Sequence, residues 1–545
     1  MIKERMVYYD IRRYLKSSGL EFRRAIITMT ATLGTFGTSL ALQRISHQNL
    51  STLVLSVVLA LTLSRMQRPG GARARLPELA VVPLVALSAG ELAHLLLSHP
   101  TVGDLAFTCT ISGAMCLRQV GRLGARIGQL VSLPITGILV VPAIGFGFGP
   151  DARLWQVTAA LVALFWVSAV QLIADHFRYL PPHRRGVPFA ASTAAGNARR
   201  LSGHSRMALQ LAVAVGAAFV IGRTAFPGHW NWTVLTAIIV CGGGPSRGEV
   251  MVKGASRLLG AGVGTLVATL LSSSFPGHHD DTVVLIFVLL FLGAWWREIS
   301  YAVWAGCVTC VMALLSGYFG QPVGTLLSTR LEAIFLGAIC AIVACTLVMP
   351  TPTAALVRRR RSLALQSLAS LLHGMRTQSP AVPLLVQGFD ARMLDLRRAA
   401  QPLRLQHTLA RAIRTPDRYL LATVDAVLAC AAPARQAVGE MSSLQSDDQA
   451  VALWQTSAGL VEAHVGRTRR QLAGHSMPHS GPEHGHVFGH GLLQLNEAVL
   501  AIVPPDQRAS GSRGTEHVAQ VDEGAPHRAD DVRYRSGGGQ RGAHR

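Results

Sequence analysis

The sequence predicts an all-α polytopic membrane protein: about twelve transmembrane helices as two parallel six-helix repeats, followed by a helical cytoplasmic C-terminal region. Three observations lead there. Half of the 545 residues are hydrophobic and only 15% are charged, well under the quarter usual for soluble domains. The apolar residues gather into repeated runs near the length that crosses hydrocarbon, about 20 residues. Basic residues alternate between scarce and abundant in successive loops, as the positive-inside rule expects.

The same figures exclude other classes. A mean hydropathy of +0.35 argues against a soluble enzyme and against a disordered chain. The formal net charge is +22, and such a surplus suits a nucleic-acid binder. Repeated apolar runs do not, so no nucleic-acid partner is expected, and membrane lipid is. Arginine supplies almost all the positive charge, since Lys3, Lys16 and Lys253 are the only lysines.

Taken in order, residues 1–24 read as a cytoplasmic basic interfacial helix bearing Tyr8, Tyr9 and Tyr14. A first six-helix membrane unit covers 25–173, with runs near 25–42, 49–64, 79–98, 103–117, 127–144 and 155–173. A cytoplasmic linker covers 174–206. A second six-helix unit covers 207–350, with runs near 207–223, 229–243, 255–272, 282–297, 301–318 and 331–349. Residues 351–505 read as a cytoplasmic helical domain, from the helical spacing of Leu363, Leu365, Leu368, Leu371, Leu372, Met393, Leu394 and Leu396. Residues 506–545 are rich in Gly, Ser, Arg and Asp and read as a disordered tail.

Loop charge supports this order. Arg65, Arg68, Arg73 and Arg75 follow the second run, and Arg118, Arg122 and Arg126 the fourth. Arg44, Arg153, Arg223 and Arg330 alone mark the opposite side. The basic N-terminus and Arg358–Arg361 join the rich side, so both termini are expected in the cytoplasm of a cell membrane, the inner one where there are two. Trp155, Trp230 and Trp232 at outer ends, and Trp295 and Trp296 at an inner end, read as interfacial anchors. Pro69 and Pro245 stand at the same offset as Pro100 and Pro276, which is the mark of the repeat.

Chemistry is expected where apolar runs are broken. Pro69 in Arg68-Pro69-Gly70-Gly71, and Gly243, Gly244 and Pro245 in the second unit, interrupt matching runs. Paired interruptions point to a substrate site between repeats, though both also suit ordinary turns. Glu249, Lys253 and Arg257 follow at a spacing of four, which places them on one helical face. A membrane-embedded arginine faces protein or water and pairs with an anion, or else snorkels to the interface. Arg297-Glu298 and Arg330-x-Glu332 are further charged pairs at run ends. A guanidinium fork suits a carboxylate in binding both oxygens, and equally suits a structural ion pair. Glu91 and His94 could relay protons or simply face water.

Other patterns carry less. Gly244-Pro245-Ser246-Arg247-Gly248 has the letters of a hydrolase nucleophile elbow, but it follows a membrane run and not a strand. The histidines 475, 479, 484, 486 and 490, and His278-His279-Asp280-Asp281, read as solvated loops ahead of metal sites. Cys307-x-x-Cys310 has no second ligand pair at finger spacing. Walker and dinucleotide motifs are missing, so no catalytic residue, metal or cofactor is expected and the protein is not read as an enzyme.

One stretch is more specific. Trp230-x-Trp232-Thr233-Val234-Leu235-Thr236-Ala237, the small-residue break, Glu249, and Lys253-Gly254-x-x-Arg257-x-x-Gly260-x-x-x-Gly264-Thr265 resemble the fusaric-acid-resistance-like family. Tyr301, Arg330-x-Glu332, Gly337 and Pro350 extend the resemblance over about 207–350; over 25–173 it is architectural alone. The family includes aromatic carboxylic acid exporters. The resemblance therefore implies an inner-membrane secondary transporter exporting small organic anions, aromatic acids among them, with Arg257 and Arg330 in family positions. It also implies a periplasmic adaptor partner in Gram-negative members, and a homo-oligomer is compatible with it. Two departures stand out: Val81 occupies the first-half position equivalent to Arg257, and no large soluble domain separates the halves. A passive anion channel and a non-transporting scaffold for envelope assembly remain alternatives.

Overall fold

A computed structural model describes residues 2–46, 50–64, 76–139, 150–177, 179, 203–242, 244, 246–274, 280–297, 299–318, 323–409, 418–443, 448–473 and 487–503. The helices α1 (Ile2–Ser46), α2 (Leu50–Leu63), α3 (Leu76–Ser98), α4 (Pro100–Leu117), α5 (Gly121–Ile138) and α6 (Pro150–His176) come first. They are followed by α7 (Gly203–Ala225), α8 (Trp230–Cys241), α9 (Arg247–Ser274), α10 (Asp280–Trp296), α11 (Tyr301–Tyr318) and α12 (Val323–Leu347). The remainder is α13 (Thr353–Arg376), α14 (Val382–Leu409), α15 (Arg418–Ala429), α16 (Ala431–Ser443), α17 (Asp448–Leu472) and α18 (His490–Leu500). The chain forms two compact units, Met1–Arg359 with Ala399–Thr415, and Arg360–Arg398 with Pro416–Arg545.

The protein is an all-α, polytopic membrane protein, but the expectation of about twelve spans in two parallel six-helix repeats is corrected. Among the described residues, six helical stretches combine the length and apolarity to cross a membrane: Gly19–Ser46, Val81–Ser98, Arg153–His176, Gly203–Ala225, Arg247–Leu271 and Ser328–Leu347. The reason is length. At about 1.5 Å of rise per residue, the 12 residues of α8 extend about 18 Å, against a hydrocarbon layer of about 30 Å. Thr52–Leu63, Asp281–Trp296 and Tyr301–Leu315 are likewise apolar but short. Composition alone counts such runs as spans, because a short buried helix and a membrane crossing look alike in hydropathy. At the N-terminus, α1 runs unbroken through the boundary expected at residue 24.

Small residues set the closest approaches in the first unit. A Cβ on Gly260 would overlap the Ala302 carbonyl, and one on Gly264 would overlap the Gly306 backbone. Numbering rises together along both helices, so α9 and α11 run parallel and nearly backbone to backbone, as small-residue spacing permits. A Cβ on Gly337 would overlap the Thr233 carbonyl. With Arg330 against Trp232 and Cys345 against Cys241, α8 and α12 also run parallel. Around them Phe107, Phe219, Val234, Ala237, Val240, Ala338 and Ala341 form one apolar core with α4 and α7. In α1, Gly34 accepts the face of Trp166, whose Nε1 donates to Thr38 Oγ1 at 2.8 Å. Outward, Leu259, Val263, Leu266 and Leu270 leave one face of α9 exposed, as lipid contact requires.

The second unit closes on Leu365, Leu368, Leu371, Leu372, Phe389, Met393, Leu396, Trp454, Leu492 and Leu495, all buried. Arg435 holds Asp390 at 2.6 Å, and His464 Nδ1 lies 2.6 Å from Asn496 Oδ1. Cys430 is fully buried, and that burial pushes its thiol up to about 12.

Two outcomes follow. Gly264→Leu forces α9 from α11 and lowers the melting temperature by the equivalent of about 1–3 kcal/mol. Gly262→Leu, with nothing within 4 Å of its Cβ position, leaves it unchanged; thermal unfolding in one detergent compares them. The raised Cys430 pKa means the unfolded chain ionises first. Its stabilising contribution is complete below about 9 and lost as pH rises towards 12. Cys430→Ala flattens that alkaline slope in a pH series of denaturation curves.

Candidate functional site

The helix α9 starts where the sequence broke. Ser246, 1% exposed, is its N-cap, with Oγ accepting from Glu249 N at 3.3 Å. Ser246 and Glu249 thus stand in the S-x-x-E order of a capping box, which explains the elbow-like letters. The side chain of Glu249 also packs where a Cβ on Gly244 would lie. Arg247 Nη2 reaches across to the Thr346 carbonyl at 2.7 Å. Gln210 from α7 donates to the Val348 carbonyl at 2.8 Å. The last carbonyls of α12 are therefore capped by side chains from two neighbours.

From this end the cations rise through the bundle. Gly254 meets Ile342 of α12 and Val240 of α8 at 3.3 and 3.5 Å from its Cβ position. The short connection from α8 to α9 makes these two antiparallel, so α9 also opposes α12. Lys253 is half-buried at this level, with Nζ 5.3 Å from the Tyr301 ring centre. Arg257 lies about one turn, 6 Å, further along α9. It is 2% exposed and engages the Tyr301 hydroxyl. Arg330 lies twelve residues before Ile342, about 18 Å along α12. It is 6% exposed, with its guanidinium carbon 4.2 Å from the Trp232 ring centre.

Electrostatically the three cations form one group. The charge of Arg257 acts on both Lys253 and Arg330. Among the described residues no carboxylate acts on Lys253 or Arg330. The buried Nε atoms of Arg257 and Arg330 have no hydrogen-bond partner among the described residues. At the start of α8, burial and then the charge of Arg330 hold His229 below its ordinary value. Aromatic faces offset part of this cost, but burial of like charges costs on the order of several kcal/mol per ion.

Of the other expected residues, Arg297 acts electrostatically on Tyr301 as Arg257 does and stacks on Trp304 at 5.2 Å. Glu332 is exposed. Glu91 is tied to Arg153 at 2.7 Å on an exposed surface, and His94 is exposed too. Pro69, Gly243, Pro245, Glu298, His278, His279 and His475 to His486 lie outside the described residues, as do most of 174–206 and all of 506–545. Among the described residues no group of three His, Cys, Asp or Glu side chains could hold a metal ion. Trp230 and Trp232, expected as interfacial anchors, are instead buried under arginines.

Sequence reasoning missed the most complete ion pair here. Arg223 of α7 grips Asp104 of α4 with two 2.7 Å bonds, donates to the Leu96 carbonyl and covers Trp230 at 4.4 Å. Clefts lined by Ser39, Gln43, Thr52 and Trp155, or by Leu59, Gly90, Pro134 and Gln156, involve none of the three cations.

Mutual repulsion has a measurable consequence. Arg330→Met keeps bulk and removes one charge, so without added anion it melts above the parent protein by the equivalent of about 1–4 kcal/mol. Asp104→Asn, which strips the partner from a half-buried arginine, melts below it.

No curated protein matches this chain. The family model described as fusaric acid resistance protein-like matches residues 211–344, the stretch from α7 to α12 that carries all three cations, and the chain is a helical membrane protein with this partial likeness.

Proposed function

We propose that the protein is a secondary transporter of the cytoplasmic membrane that exports small organic anions, aromatic carboxylates among them, with both termini in the cytoplasm. One observation carries the reading: Arg257 and Arg330 are buried in an apolar bundle, within electrostatic reach of each other, with Nε donors unmatched and no described carboxylate in reply. A carboxylate relieves such a site in two ways, as counter-charge and as acceptor for the open donors. The flanking Trp232 and Tyr301 supply flat apolar surface for a ring. The partial likeness to the fusaric acid resistance protein-like family over the same residues supports the same cargo class.

The order of the cations supports movement as well as binding. Lys253 and Arg257 sit towards the end where α9 begins, and Arg330 towards the end where α8 begins. An anion leaving one finds the next within the same helical group, which weakens each single site enough to release.

The test uses purified protein and a carboxylate panel. Benzoate at a hundredfold over its Kd raises the melting temperature by the equivalent of about 2.7 kcal/mol. Arg257→Ala abolishes this shift, and proteoliposomes carrying that variant lose benzoate flux. Equal flux through parent and variant vesicles sinks the reading. Current recordings separate a carrier, with no unitary conductance, from an open anion channel.

A further inference from the structure

The helices that hold Arg330 and Trp232 also meet at their opposite ends, through sulfur. Cys241 is the last residue of α8 and Cys345 lies in the final turn of α12. Their Sγ atoms are 3.4 Å apart, and the residues are 4% and 3% exposed. Parallel packing brings the thiols to the same end of the pair. That end is also where both helices stop, α8 at Cys241 and α12 at Leu347, and the neighbouring Gly242 and Leu347 are exposed. A small reagent thus has a short approach. Lys253, the cation nearest this end, lies within electrostatic reach of Cys241.

Small buried cysteines often fill helix crossings and nothing more. Here two face each other across different helices, beside a candidate site and within reach of the surface. A disulfide has an S–S length of about 2.05 Å, so the sulfurs need to close by little more than 1 Å. Gly337 already lets the two backbones approach along the same seam.

We propose that Cys241 and Cys345 form an oxidation-sensitive thiol pair whose disulfide ties α8 to α12 and restrains the anion site those helices carry. The oxidant is a low-molecular-weight disulfide. One cysteine thiolate attacks it, forming a mixed disulfide and releasing one small thiolate, which takes up the proton. The second cysteine thiolate attacks the protein sulfur of that mixed disulfide and releases the second small thiolate, again with its proton. Two protein thiols lose two electrons to become one disulfide, and the small disulfide gains them to become two thiols. Formation of the bond stands on geometry alone; the restraint on transport rests on the anion-export reading.

The test uses full-length protein in lipid vesicles treated with 2,2′-dithiodipyridine. Digestion without reductant and mass spectrometry read the bond, and benzoate flux reads the site. The expected result is a Cys241–Cys345 linked peptide with flux at least fivefold lower. Dithiothreitol reverses both, and Cys345→Ser and, independently, Cys241→Ser abolish both. Absence of the linked peptide from oxidised parent protein overturns the proposal, and so does a linked peptide with undiminished flux. A linked peptide in protein that moves no benzoate even when reduced keeps the thiol pair and removes the transport reading instead.

Discussion

Buried charge that no carboxylate among the described residues answers is the constraint around which the membrane unit is arranged. An apolar bundle gains by excluding water, and every cation it encloses works against that gain. Arg257 and Arg330 persist inside because their helices are held from elsewhere. Gly260 and Gly264 bring α9 against the α11 backbone, and Gly337 brings α12 against α8. Arg247 and Gln210 fasten the far end of α12 by its carbonyls. These contacts are backbone-close or fully hydrogen-bonded, so they can hold the repelling groups in place while no anion is present.

Much of this was legible in the sequence, and the failures have physical causes. The spacing of Glu249, Lys253 and Arg257 gave one helical face correctly, because a helix repeats every 3.6 residues wherever it lies. Gly260 and Gly264, four apart, share a face for the same reason. Helix number and helix length were another matter. Hydropathy records whether a run avoids water, and α8 avoids water by being buried in protein, with ten of its residues inside the core. A 12-residue helix of that kind is indistinguishable by composition from a crossing, which is how twelve spans emerged from a chain in which six described stretches qualify.

The site was legible as a set of candidates but not as a constellation. Arg257 and Arg330 are separated by more than seventy residues, and only the packing of α9 directly against α12, with α8 beside them, brings their charges into range. The pairing of Asp104 with Arg223 was invisible for a related reason: a lone aspartate near the start of an apolar run gives no sign of its partner. Glu249 shows the converse. Its spacing put it on the face of Lys253 and Arg257, and Ser246 three residues before it also accepts its backbone N–H as a helix cap.

The start of α8 supplies an internal comparison that bears on function. Trp230 and Trp232 are neighbours in sequence, both are buried, and each lies under an arginine, at 4.4 and 4.2 Å. The aromatic stacking is the same in kind. What differs is the reply to the charge. Arg223 has Asp104 bound through both oxygens and the Leu96 carbonyl as well, while Arg330 has its ring, an open Nε and another cation within range. If stacking on tryptophan were enough to settle a buried guanidinium, Arg223 would not need its carboxylate clamp. The fold demonstrates two residues away how such a charge is satisfied with protein groups, and among the described residues that solution is withheld from Arg330. A carboxylate arriving from solution would complete at Arg330 what Asp104 completes at Arg223, and, unlike Asp104, it could leave.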